Sequence, residues 1–182
     1  EPVVATLVGI ILYHEKLTVL NFMGVVLVVA AIVGADGPTA YWSHSAGDGI
    51  SIFRDGISVT VGPEVTVRGG KGGFDTCWGS GGEGGSGIYV GTKDVSITVY
   101  GTLIGGDGGD GDPGFGGDGG HGIRVGYYST DQYGGKLVNQ GMIIAGDGGD
   151  GFLGAGIGGE ALRYLGNYEI VDEGGETQDG VD

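Results

Sequence analysis

One cysteine, three histidines, four prolines and eight basic residues are all that this chain of 182 residues contains of those types. Cys77 by itself closes no internal disulfide and has no neighbouring ligand set for zinc. His14, His44 and His121 are scattered along the chain with no nucleophile motif beside any of them, which argues against an enzyme built on a histidine base. Eight lysines and arginines against 23 acidic residues leave a formal net charge of −15. Such a chain repels phosphate backbones, so nucleic acid is set aside as a partner, and cations and cationic surfaces are favoured. The first residue is Glu1 and no basic n-region precedes the apolar residues after it, so no signal peptide is visible and the start reads as a cut or an incomplete frame.

Glycine is what the chain has in excess, with 47 residues, of which only Gly9, Gly24 and Gly34 fall in the first 34 positions. The rest cluster. Three Gly-rich blocks, at Gly69 to Gly73, Gly105 to Gly111 and Gly146 to Gly151, begin 36 and 41 residues apart, and each follows a short apolar segment. A second marker keeps the same rhythm, because Gly49-Ile50, Gly87-Ile88, Gly122-Ile123 and Ala161-Leu162 are spaced by 38, 35 and 39 residues. Recurrence at such a period is the mark of a stacked-coil architecture.

Between these markers the side chains alternate with period two. Ile57, Val59 and Val61 share one face with Ser58 and Thr60 on the other, and 38 residues later Val95, Ile97 and Val99 repeat this with Ser96 and Thr98. Val65-Thr66-Val67, Thr102-Leu103-Ile104 and Met142-Ile143-Ile144 are further short strands, each running into a Gly block. The unit is therefore a strand, a Gly-rich excursion, a returning strand at Ile50, Ile88, Ile123 or Leu162, a turn and the next strand pair. It holds too few apolar side chains to bury a core alone and must stack on its neighbours, which predicts a parallel β-helix with Val and Ile aligned in internal ladders about 4.8 Å apart.

The Gly blocks have period three, as in Gly105-Gly106-Asp107-Gly108-Gly109-Asp110-Gly111. Ordered glycine loses more backbone entropy than any other residue, so such arms hold together only when neighbouring backbones pair with them. A bundle of polyproline-II helices does this, turning two glycines of each triplet to neighbours and the third residue to solvent. The competing reading is calcium. The β-roll nonapeptide pattern is nearly met at Ala145 to Phe152, with Asp150 at the ligand position and Phe152 at the apolar one. Stacking would also set Asp107 over Asp147 and Asp110 over Asp150. Two carboxylates at about 5 Å repel by roughly 1 kcal/mol in water and 3–4 at intermediate dielectric, so they tolerate exposure and need a cation if buried. Asp107, Asp110, Asp147 and Asp150 are the metal candidates, and calcium is the cofactor they would take.

Residues Leu17 to Gly34 form an apolar run with Thr18 and Asn21 as its only polar members, close to the minimum length for a membrane-spanning helix. Val3 to Tyr13 is a shorter apolar run, and His14-Glu15-Lys16 separates the two. Glu1-Pro2-Val3-Val4-Ala5, the Glu15-Lys16-Leu17-Thr18 turn and Gly24 resemble the last two helices of EamA-type drug/metabolite transporters, with His14 where that family usually has glycine. Val138-Asn139-Gln140-Gly141-Met142-Ile143-Ile144, Gly101-Thr102-Leu103-Ile104 and the run from Gly116 to Ile123 resemble the Gly-rich repeats of autotransporter passenger domains. The domain organisation expected is a truncated transmembrane α-helical hairpin over residues 1–34, a linker or cap over 35–48, an all-β Gly-rich solenoid over 49–171 and an acidic tail over 172–182.

The function these features point to is non-enzymatic. The β-helix would be a structural or adhesive module, held to a membrane by lipid contact through residues 3–34 and displaying Gly-rich loops at the cell surface to carbohydrate or to surface proteins. Tyr127, Tyr128, Tyr133, Tyr164 and Tyr168 either stack on sugars or cover coil edges. Arg124 and Arg163 occupy matching repeat positions and read as a surface ladder. The alternative is the C-terminal fragment of an EamA-type metabolite transporter carrying an appended or misjoined Gly-rich extension.

Overall fold

The computed structural model describes residues 31–38, 44–76, 78–126, 134–163 and 167–182. They form a parallel β-solenoid of about four turns with three sheets. One sheet stacks β1 (Ala31–Val33), β4 (Thr66–Arg68), β7 (Thr102–Ile104), β10 (Met142–Ile144) and β13 (Glu176–Gln178). The second stacks β2 (Ile50–Ile52), β5 (Ile88–Val90), β8 (Ile123–Val125) and β11 (Leu162–Arg163). The third stacks β3 (Ser58–Val61), β6 (Val95–Val99), β9 (Gly134–Asn139) and β12 (Asn167–Asp172). Every pairing is parallel, so each strand lies beside the equivalent strand of the next turn.

Register turns the period-two pattern into aliphatic ladders. Val59, Ile97 and Leu137 lie opposite one another in successive turns, and so do Ile50, Ile88 and Ile123, and Val67, Leu103 and Ile143. Ile88, Ile97, Leu103, Ile123, Leu137 and Ile143 are fully buried and make up the centre of the core. Branched side chains suit this site because each packs on its equivalent a strand spacing away, and every rung buries apolar surface on both sides. The ladders open at the C-terminal turn, where Ile170 lies opposite Leu137 yet is half exposed.

The corner between β9 and β10 shows why the sequence carries Asn139 and Gly141. Asn139 is buried, its Oδ1 accepts the Gly141 N–H at 3.2 Å and its Nδ2 donates to the Glu176 carbonyl at 3.5 Å. The side chain thus bends its own turn and ties it to the next, as Asx turns do. A Cβ on Gly141 would sit 2.1 Å from the Gly101 carbonyl oxygen, which leaves room for glycine alone.

Three expectations are corrected at the ends. The helix expected to run to Gly34 does not, since Ala31–Val33 is β1 and sets Ile32 opposite Val67, where a branched side chain extends a ladder. The rest of the transmembrane hairpin, residues 1–30, lies outside the described residues. Among the described residues no helix is long and apolar enough to cross a membrane. Segments 35–38 and 44–48, from the stretch expected as linker or cap, form an arm of the glycine array, with Gly37 donating to the Lys71 carbonyl and Ala46 to the Glu83 carbonyl. The acidic tail is a continuation of the solenoid, because β13 pairs with β10 and Gly148 donates to the Val181 carbonyl.

Truncating a central rung removes contacts on two sides. Leu103→Ala and Ile97→Ala are expected to destabilise the protein by roughly 2–5 kcal/mol each, against less than about 1 kcal/mol for Ile170→Ala at the open end. Denaturant titration followed by circular dichroism measures the difference.

Candidate functional site

The Gly-rich excursions leave the solenoid as arms, each an outgoing and a returning segment. Outgoing segments stack on outgoing ones with one bond every third residue, as Gly69 donates to Ile104, Gly72 to Asp107 and Asp75 to Asp110. Returning segments do likewise, with Gly81, Gly84 and Gly87 donating to Phe115, Asp118 and His121. The second glycine of each triplet crosses between the two rows. A continuous zigzag results, in which Gly146 donates to Gly120, Gly120 to Gly106, Gly106 to Gly85, Gly85 to Gly70 and Gly70 to Gly47. Three residues per turn and bonds only to neighbours are the marks of a polyproline-II bundle. Close approach explains the composition, since a Cβ on Gly108 would lie 1.9 Å from the Gly117 carbonyl oxygen and one on Gly84 equally near that of Gly106.

Most third residues of the triplets point out of the array, with Ser86 and His121 buried, and several of their amides are capped by a side chain one turn back. Asp107 accepts the Asp147 N–H at 3.3 Å, Asp110 the Asp150 N–H at 3.1 Å, Asp118 the Ile157 N–H at 3.0 Å and Asp147 the Val181 N–H at 2.9 Å. Asp36 and Asp48 cap Lys71 and Ser86 in the same way, both at 2.8 Å. Aspartate is suited to this because its short side chain readily bonds backbone amides.

The four metal candidates are therefore brought together as two stacked pairs, Asp107 with Asp147 and Asp110 with Asp150, linked through these amides. Asp107 also pairs with Arg68 at 3.2 Å and Asp110 with Lys71 at 3.7 Å. Among the described residues no group of three or more His, Cys, Asp or Glu side chains forms a metal cluster. The β-roll reading of Ala145 to Phe152 is not what the arm builds. Phe152 is exposed rather than seated in an apolar slot, and Asp150 offers its carbonyl to Gly111.

His121, which the sequence left without a role, is a buried cap. Its Nδ1 accepts the Glu160 N–H at 3.0 Å, which requires the neutral ring. Burial first, and then Arg124 and Arg163, lower its pKa from 6.5 to about 4. Tyr168 is also inward-facing, so it covers the core and is not presented to a ligand, and burial raises its pKa to about 12. Tyr127, Tyr128, Tyr133 and Tyr164 lie outside the described residues.

A cleft runs between the outer face of the β2-β5-β8-β11 sheet and the returning arms. On the sheet side Ser51, Tyr89, Arg124 and Arg163 are in register, so the expected Arg124–Arg163 ladder is present. One cavity of about 350 Å³ is lined by Asp48, Phe53, Glu83, Tyr89 and Arg124, with backbone from Gly84 and Gly85. A second of about 200 Å³ adds Asp118, His121, Ile157 and Arg163, and shares Glu83 and Arg124 with the first. Phe53 is 71% exposed and its ring lies 5.7 Å from that of Tyr89 at an interplanar angle of 58°. Arg124 pairs with Glu83 at 2.9 Å across the cleft. Phe53, Tyr89 and Glu83 were not singled out by their residue types. The 38- and 35-residue spacing of the strand starts does place Tyr89 beside Arg124, and that was the available signal.

No protein-family model, no curated protein and no solved structure matches the chain. The likeness of residues 1–34 to EamA transporters therefore rests on the quoted residues alone, and that of 49–171 to autotransporter repeats on those residues and the β-solenoid.

Two measurements test the caps. The folded pKa of His121 lies below the unfolded one, so the folded state binds the proton more weakly. The resulting stability is present above pH 6.5 and is lost as the pH falls towards about 4. His121→Gln keeps an acceptor and does not titrate, so its thermal midpoint should fall less steeply over that interval than that of the unaltered protein. Carboxylates already bonded to amides leave little for a cation to add, so exchanging calcium for a chelator should move the midpoint by no more than about 2 °C, whereas a cation bound far above its Kd would contribute several kcal/mol.

Proposed function

We propose that the protein is a non-enzymatic surface module whose β-solenoid holds the glycine arms out as a rigid adhesive array, with carbohydrate or surface proteins as its partners. The observation that carries this reading is the cross-bonded arm bundle. An unpaired glycine segment is a flexible tether, whereas these arms are tied to neighbours at two of every three residues, and they end in exposed Trp78, Phe115 and Phe152. Apolar side chains kept in water on a stiff support favour contact with another surface over internal packing. Membrane attachment belongs to the same proposal and draws on the apolar residues ahead of β1.

Beads coated with the full chain should be retained on cell monolayers under flow, and Gly108→Ala combined with Gly84→Ala should reduce retention at least several-fold while the sheet signal in circular dichroism persists. Retention that survives opening of the arms would remove the array from the mechanism. Flotation of the full chain with phosphatidylcholine vesicles checks the attachment separately.

A further inference from the structure

The cleft beside the arms has the chemistry of a saccharide site, and we propose that it binds a short, neutral oligosaccharide chain running along the solenoid axis. Phe53 and Tyr89 supply the first requirement. Their tilted rings form an open aromatic corner, and an exposed aromatic face in water is a platform for the apolar C–H face of a pyranose. Phe53 is held there by what lies beneath it: a Cβ on Gly91, its counterpart one turn on, would come within 2.8 Å of the ring. The opposite wall includes the backbone of Gly84 and Gly85, flanked by the side chains of Glu83 and Ser86.

Polar groups on the cleft supply the second requirement. The Arg124–Glu83 pair is set by a 2.9 Å contact and is shared by both cavities, so a donor fork and a carboxylate face a ligand side by side, as vicinal hydroxyls demand. Arg163 and Asp118 repeat the mixture one turn further along. Phe53 and Arg163, on the first and fourth of the stacked turns, are three strand spacings or about 14 Å apart along the axis, which suits several linked sugars and exceeds one. Neutrality follows from charge. The two cavities are lined by Asp48, Glu83 and Asp118 against two arginines, in a chain of net charge −15, and an anionic glycan would be repelled.

The inference goes beyond the display role, and its test in free solution can fail while bead retention succeeds. The full chain is titrated with neutral hexasaccharides of β-1,4-glucan, α-1,4-glucan, β-1,3-glucan and β-1,4-mannan, and with hexagalacturonate, by calorimetry and saturation-transfer NMR. At least one neutral hexasaccharide should bind saturably and more tightly than hexagalacturonate. Phe53→Ala, at an exposed position that leaves the core intact, should weaken that binding roughly tenfold, one aromatic stacking contact being of that size. Tyr100→Ala, at an exposed position between β6 and β7 that lines neither cavity, should leave it unchanged. The proposal is overturned if no neutral hexasaccharide saturates at millimolar concentration, if hexagalacturonate is preferred, or if Phe53→Ala binds as well as the unaltered chain.

Discussion

Backbone hydrogen bonding between glycine segments is the constraint on which the rest of this structure depends. Ordering a residue costs about 1–2 kcal/mol of backbone entropy, and glycine pays the most while contributing no side chain to a core. The arms meet that cost with bonds alone. Gly106 donates to Gly85 and accepts from Gly120, and Gly120 accepts in turn from Gly146, so each segment is fixed by segments before and after it in the chain. Chains of bonds polarise one another, which adds to the cooperativity of the array.

The aliphatic solenoid and the glycine array need each other because they share one register. Leu103 lies opposite Val67 and Ile143, and directly after these strands Gly69 donates to Ile104, and Gly105 to Ile144. A slip in either part would break the other. Differences in repeat length leave this register intact, since β8 pairs with β5 and β9 with β6 although more residues separate β8 from β9 than β5 from β6.

Acidity, which as a net charge opposes compaction, is put to local use. Asp36, Asp48, Asp107, Asp110, Asp118 and Asp147 each accept a backbone amide one turn on, and Arg68, Lys71 and Arg124 stand among the carboxylates as counter-ions. His121 fills the same role with a ring nitrogen where it is buried between the returning arm and the sheet, which ties the array to a group that charges in acid.

Residue pattern by itself determined the strands at Ile50, Ile88, Ile123 and Leu162, the pairing of Val59 with Ile97, and the outward turn of Asp107, Asp110, Asp147 and Asp150, because period two, period three and the spacing of 35 to 39 residues are properties of chain geometry alone. Only the tertiary structure decided that segments 35–38, 44–48 and 172–182 join the stack, that Tyr168 faces inward, and that Phe53 meets Tyr89 over Gly91. The partners in each case come from different turns of the solenoid. Whether an aspartate caps an amide or an aromatic lines a cleft depends on the atom set against it by stacking, about 4.8 Å away in space and nearly 40 residues away in sequence.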